Sequence, residues 1–160
     1  MEAWSYRGRR ALVTGASAGI GAAFADILAA RGMDLVLAAR REERLREMAE
    51  RLSGEHGIAC EVVAIDLAED GAPERLWQAA MAGGPIHLLV NNAGVGAQGP
   101  FAEVPLERQR TMIRLNVEAV VELTHLALRE MRPLGSGGII NVSSIASFLP
   151  IPHLSVYAAS

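Results

Sequence analysis

Two hydroxyl side chains thirteen residues apart, Ser144 and Tyr157, are the groups in this sequence best suited to moving a proton. Tyr157 sits in Pro152-His-Leu-Ser-Val-Tyr-Ala-Ala-Ser160, which reads as a loop entering a helix and not as a core strand. A phenol of ordinary pKa, about 10, is a poor base at neutral pH and needs a nearby cation to lower it. In the reduction of a carbonyl it could donate the proton while a nicotinamide supplies hydride. Ser144 could hydrogen-bond the carbonyl oxygen and orient it. A tyrosine taken alone is equally readable as a half-buried packing residue. His153 lies nearby, but its spacing supports no nucleophilic triad, and it reads as a loop histidine.

A second group of residues could hold an anion. Ala11-Leu-Val-Thr14-Gly15-Ala-Ser17-Ala-Gly19-Ile20-Gly21 opens as an apolar strand, passes three glycines and continues with helical periodicity. Unpaired N–H groups and the positive end of the helix dipole then face whatever binds at the turn. Gly15 can supply the tight turn, Gly19 the close approach of backbone to a pyrophosphate, and Gly21 the close packing of helix on strand. The spacing Gly-x-x-x-Gly-x-Gly differs from the standard dinucleotide fingerprint, and a tight strand-helix turn without a ligand would look the same. Arg40 lies 19 residues past Gly21, with Arg41 behind it. An acid there would suit a ribose 2′-hydroxyl, whereas arginine suits a 2′-phosphate, which favours NADP(H) over NAD(H). A solvated pair balanced by Glu42 and Glu43 is the other reading of these arginines.

The elements that must position these groups follow a regular rhythm. The first helix carries Ile20, Ala23, Phe24, Ile27 and Leu28 at i, i+3, i+4, i+7 and i+8, which predicts its buried face. Gly32 stops it. Met33–Ala39 reads as a strand buried on both faces, and a charged helix follows with Leu45, Met48, Ala49 and Leu52 inward. Cys60–Ile65, then a helix from Pro73 to Ala82, then Ile86–Val90 continue the alternation, with Pro73 suited to a first helical turn. The longest helix runs from about 105 to 131. It carries one polar stripe (Arg110, Arg114, Glu118, Glu122, His125, Arg129) and more apolar surface than a single buried face needs. It is therefore expected to pack on the sheet and on a second subunit. Gly137–Val142 gives a fifth strand ending at Ser143-Ser144.

Five strand-helix alternations at this spacing predict an α/β fold with a parallel sheet covered on both faces. In such sheets ligands bind beyond the carboxyl ends of the strands. Gly15 to Gly21, Arg40, Asp66, Asn91 to Gly94, Ser143 and Ser144 all fall there. Composition agrees with one domain over residues 1–160: hydrophobic residues make up 51% and charged residues 21%. A net charge of −3 and a pI near 5.8 favour neither nucleic acid nor an anionic membrane. No run is long enough for a membrane span, and Met1-Glu-Ala-Trp4 does not begin a signal peptide. The single Cys60 excludes an internal disulfide, reads as a packed thiol and fits a reducing cytoplasm. No metal site is expected.

Taken together, Thr14-Gly15-x-x-x-Gly19-Ile20-Gly21, Asp66-Leu67, Asn91-Asn92-Ala93-Gly94, Asn116, Ser143-Ser144 and Tyr157 resemble the main branch of the short-chain dehydrogenase/reductase family. The match covers the whole chain in order and spacing. The resemblance implies a Rossmann-type doubly wound sheet binding NAD(P)(H), with Gly15, Ser17, Gly19, Ile20 and Gly21 under the pyrophosphate. Asp66 would hold the adenine amino group with Leu67 beside it, and Asn91 would lie near the adenine-side ribose. Asn92, Ala93 and Gly94 would brace the fourth strand beside the cofactor. Asn116 would order a water for proton relay, Ser144 would fix the substrate oxygen, and Tyr157 would be the general acid/base next to the cofactor. Members commonly form dimers or tetramers through the long helix, and the substrates implied are small carbonyls or alcohols: ketones, hydroxysteroids or 3-oxoacyl chains.

One feature departs from the family. Its Tyr-x-x-x-Lys motif requires lysine directly after Ser160, where the sequence stops. The expectation is an N-terminal portion, truncated after the fifth strand, whose last strand is an exposed apolar edge. Weak cofactor binding and little turnover are expected of the 160 residues themselves. The alternative reading is a catalytically silent dinucleotide-binding or dimerisation module.

Overall fold

The structure, a computed structural model, describes residues 5–160; Met1 to Trp4 lie outside the described residues. Five parallel strands form one sheet in the order β3-β2-β1-β4-β5: β1 Arg10–Thr14, β2 Asp34–Ala39, β3 Cys60–Ala64, β4 Leu88–Asn91 and β5 Gly138–Asn141. The chain winds from β1 outward to β3, then crosses back so that β4 pairs with the other side of β1. That reversal opens a crevice between the carboxyl ends of β1 and β4. The expected doubly wound sheet is therefore present through its fifth strand, and β5 forms one edge with Ile140 exposed.

Side chains alternate across the strands, so each face has its own core. Ala11, Val13, Leu35 and Leu37 meet helices α1 (Gly19–Ala30) and α2 (Glu42–His56) on one face. Leu12, Val36, Ala38 and Leu89 meet α3 (Ala72–Ala82) and the long helical segment on the other. The inward residues of α2 are Leu45, Ala49 and Leu52, as its single apolar stripe requires.

Helix α1 departs from expectation. Its buried residues are Gly21, Ala25, Leu28 and Ala29, whereas Ile20 and Ile27 are exposed. The helix has two competing stripes, and the one made of small residues lets its backbone approach the sheet most closely. Ile20 is thereby turned toward the crevice.

The long helix is also not uniform. Helix α4 (Leu106–Ile113) passes through a π-helical turn at Arg114–Glu118 into α5 (Ala119–Met131). Met112, Leu115, Ala119, Leu123, Ala127 and Met131 are buried against the domain. Ile113, Val117, Val121 and Leu128 form the second, exposed apolar stripe. No helix among the described residues is long and apolar enough to cross a membrane.

Candidate active site

The crevice begins at Thr14, the last residue of β1. Its buried hydroxyl donates to Val90 O at 3.1 Å and accepts from the backbone N–H groups of Asn92 (2.9 Å) and Ala93 (3.0 Å). Asn92 Nδ2 returns to Thr14 O at 2.9 Å and to Gly15 O at 3.3 Å. The exits of β1 and β4 are thus laced together. Gly15 has φ 65°, and a Cβ there would sit 2.8 Å from Asn92 Nδ2. A Cβ on Gly21 would meet Gly15 O and lie 2.5 Å from Asn92 Nδ2. Only glycine allows α1 to start this close to the turn. Gly19, by contrast, faces open space, and no side chain among the described residues caps α1, which leaves first-turn N–H groups to face an anion.

Two cavities flank this turn. One, of about 80 Å³, is lined by Gly15, Ala39, Arg40, Asp66, Leu67 and Gly94. Asp66 Oδ1 accepts from Ala68 N at 3.0 Å, and its Oδ2 lies 3.6 Å from Arg40 Nη1. Arg41, which the sequence placed only behind Arg40, donates from Nη2 (2.9 Å) and Nε (3.2 Å) to Ser17 Oγ. The sequence reading missed this fork over the glycine turn, although two adjacent arginines past a strand were its signal.

The other cavity, about 320 Å³, gathers Ile20, Asn92, Asn116, Ser144, Tyr157 and Ser160, among others. Asn116, Ser144 and Tyr157, widely separated in sequence, share this space. Ser144 Oγ accepts from Ala146 N at 3.2 Å, which leaves its own proton available to another acceptor. Tyr157 lies in the short helix α6 (Ser155–Ala158), its ring against Gly96, where a Cβ would come within 3.3 Å of Cδ2. Asn116 sits in the π turn. Its Oδ1 accepts from Val95 N (3.0 Å), and its Nδ2 donates to Val95 O (2.9 Å) and Ser160 Oγ (2.9 Å). π turns recur at functional positions in helices.

Asn91 is held on the β5 side of the crevice. It is buried at the end of β4, with Nδ2 donating to Asn141 Oδ1 (2.9 Å) and Thr124 Oγ1 (3.1 Å). It lines the cavity of Ser144 and Tyr157, not the one beside Asp66. The pull comes from β5 and α5, which offer polar partners on that side. Its Oδ1 is buried without a hydrogen-bond partner among the described residues.

A parallel sheet with a glycine turn at its switch point defines the dinucleotide-fold class. The sequence pattern described as short chain dehydrogenase matches residues 9–160, and the chain belongs to that family. It is 34% identical over 157 residues to the very-long-chain 3-oxoacyl-CoA reductase-A of Danio rerio, covering 96% of this chain and 49% of that protein. Among solved structures, a short-chain dehydrogenase from Sphingobium yanoikuyae in complex with NADPH superimposes with TM-score 0.89 at 36% identity, over 94% of this chain and 59% of that one. L-sorbose reductase from Gluconobacter frateurii, complexed with NADPH and L-sorbose, gives TM-score 0.90 at 33% identity, over 96% and 59%. The chain spans about half the length of the curated relatives it matches.

Proposed function

We propose that residues 1–160 are the nucleotide-binding portion of an NADP(H)-dependent oxidoreductase that interconverts a carbonyl and a secondary alcohol. The observation that carries this reading is the convergence of Asn116, Ser144 and Tyr157 on one cavity beside the glycine turn. The nicotinamide, when bound, would exchange hydride with the substrate carbon. Ser144 would donate a hydrogen bond from its hydroxyl to the substrate oxygen and hold it in place. Tyr157 would supply the proton to that oxygen in reduction and take it back in oxidation. Gly15, Ser17, Gly19, Ile20 and Gly21 would border the pyrophosphate, and Asp66, Leu67, Ala93 and Gly94 the adenine side. Arg40 and Arg41 present two guanidinium groups for a 2′-phosphate, which supports NADP(H) over NAD(H). Small carbonyls, with 3-oxoacyl thioesters among them, are the substrates the relatives suggest. A cytoplasmic setting and a second copy packed on α4–α5 belong to the same reading.

Titrating the chain with NADPH and following NADPH consumption over ketones and 3-oxoacyl thioesters tests it. Tyr157→Phe should keep NADPH affinity and lose whatever turnover the parent has. Absence of NADPH binding, or turnover retained by Tyr157→Phe, would overturn the assignment. Binding without turnover even in a longer chain that carries the lysine of the Tyr-x-x-x-Lys motif would select the catalytically silent module instead.

A further inference from the structure

The Tyr157 segment is hydrogen-bonded to the middle of the long helix through the Ser160 hydroxyl. Ser160 Oγ accepts from Asn116 Nδ2 at 2.9 Å and donates to Tyr157 O at 3.1 Å, beside the Ser160 N–H, which donates to the same carbonyl at 3.2 Å and would survive loss of the hydroxyl. An asparagine amide has two N–H donors, and Asn116 spends the other on Val95 O at 2.9 Å. Both hydrogens of Nδ2 are therefore committed, one to the loop after β4 and one to Ser160. The loop is held a second time where Arg108 Nη2 donates to Gly96 O at 3.1 Å. Gly96 is also the surface on which the Tyr157 ring rests. The ring is positioned from below by residues 95–96, the main chain from behind by Ser160, and both supports return to Asn116.

We propose that Ser160 is a positioning residue for Tyr157. Its hydroxyl carries the Asn116 anchor to the Tyr157 carbonyl and so fixes the phenol in the cavity it shares with Ser144. The consequence for turnover rests on the acid/base reading of Tyr157 given above; the consequence for placement does not.

The sequence contains two tyrosines, so Tyr6→Phe leaves Tyr157 as the only one. In that background, chain labelled with 3-fluorotyrosine should give a single fluorine resonance displaced from that of the free amino acid. Ser160→Ala should move it toward the free value. It should also lower carbonyl turnover between about tenfold and about a hundredfold, the range expected for a misplaced reacting group, with NADPH affinity unchanged. Ser160→Thr, which keeps the hydroxyl, should restore both. Ser160→Cys, similar in size but a weak donor, should show a smaller displacement in the same direction, and it serves if the alanine variant does not fold. A resonance and turnover in Ser160→Ala equal to the parent's would overturn the proposal. If neither the parent nor any variant turned over a carbonyl, as the low turnover expected of residues 1–160 allows, the resonance alone would uphold or overturn the positioning role.

Discussion

Arg41 reaches across the glycine turn to Ser17, with Nη2 and Nε both donating to Oγ, the nearer at 2.9 Å. Arg40, its neighbour, leans the other way toward Asp66. Two consecutive cations are therefore divided between the glycine turn and Asp66. Ser17 holds the Arg41 fork without neutralising it, so its charge remains available to an anion. Arg40 is already partly compensated by a carboxylate.

On the NADP(H) reading, Arg41 contributes more to 2′-phosphate recognition than Arg40. A hydrogen bond to a charged group contributes about 1.5–3 kcal/mol, so Arg41→Gln should weaken NADPH binding roughly tenfold to a hundredfold. NADH affinity should hardly move, and Arg40→Gln should cost NADPH less. Parallel titrations with the two cofactors decide this. An equal loss for NADPH and NADH would remove Arg41 from the phosphate site.

Thr14 is the point on which the site's scaffold converges. Its buried hydroxyl serves one carbonyl and two amides, those of Val90, Asn92 and Ala93. Valine has nearly the same shape and none of these bonds. Each buried polar group left without a partner costs about 1–3 kcal/mol, so Thr14→Val should lower stability by about 3 kcal/mol in urea unfolding. Thr14→Ser should retain most of it. A valine variant as stable as the parent would show that water replaces the hydroxyl.

How far the sequence spoke depended on whether a feature was local. Strands β1 and β2 were legible because unbroken apolar runs between turns have few other readings, and α2 because a charged helix carries only one stripe. Ala-rich α1 offered two stripes, and the choice between them came from how closely Gly21 and Ala25 let it approach the sheet. The π turn changes hydrogen bonding without changing composition, so nothing in Arg114–Glu118 announced it. Ser144 and Tyr157 could be paired because both follow the fifth strand closely. The orientation of Asn91 could not be foreseen, since its partners Thr124 and Asn141 lie 33 and 50 residues further on. Arg41 and Ser160 were missed for the same reason: their roles exist only once distant loops meet.

Two groups should give stability opposite dependences on pH. His87 Nδ1 accepts from Arg10 N at 3.2 Å. Burial first, then the charges of Arg9 and Arg10, push its pKa below the ordinary histidine value. The folded state therefore prefers neutral His87. Its contribution is complete above about pH 6.5, the ordinary value, and is lost as pH falls through the depressed folded pKa. Glu122 is shifted the other way, by burial and then by Glu74 and Glu118. The proton it retains when folded stabilises the protein below the ordinary glutamate range, and that contribution disappears as pH rises through the raised value. Unfolding followed from pH 4 to 8 should show Glu122→Gln more stable than the parent at neutral pH, with the difference closing in acid. His87→Gln should flatten the slope on the acid side of neutrality. A constant offset for Glu122→Gln at every pH would mean that its titration does not differ between folded and unfolded chains.

The exposed stripe on α4–α5 leads to the last prediction. Ile113, Val117 and Val121 recur every four residues and Leu128 follows two turns on, all open to solvent while the opposite side of the same helix is buried. Each is already roughly half covered, so burying the remainder would contribute about 1 kcal/mol apiece. The charged neighbours Arg110, Arg114 and Glu118 border the stripe and leave an apolar seam between polar margins, the pattern of a helix that packs twice. A second copy presenting the same seam would cover it symmetrically. Sedimentation should therefore show the chain associating as concentration rises, and Val121→Glu, which sets a charge in the middle of the seam, should shift it to monomer. Because Val121 is exposed and remote from the Ser144–Tyr157 cavity, the thermal midpoint of the monomeric variant should stay close to that of the parent at high dilution. A parent that remained monomeric at every concentration would refute self-association through this seam.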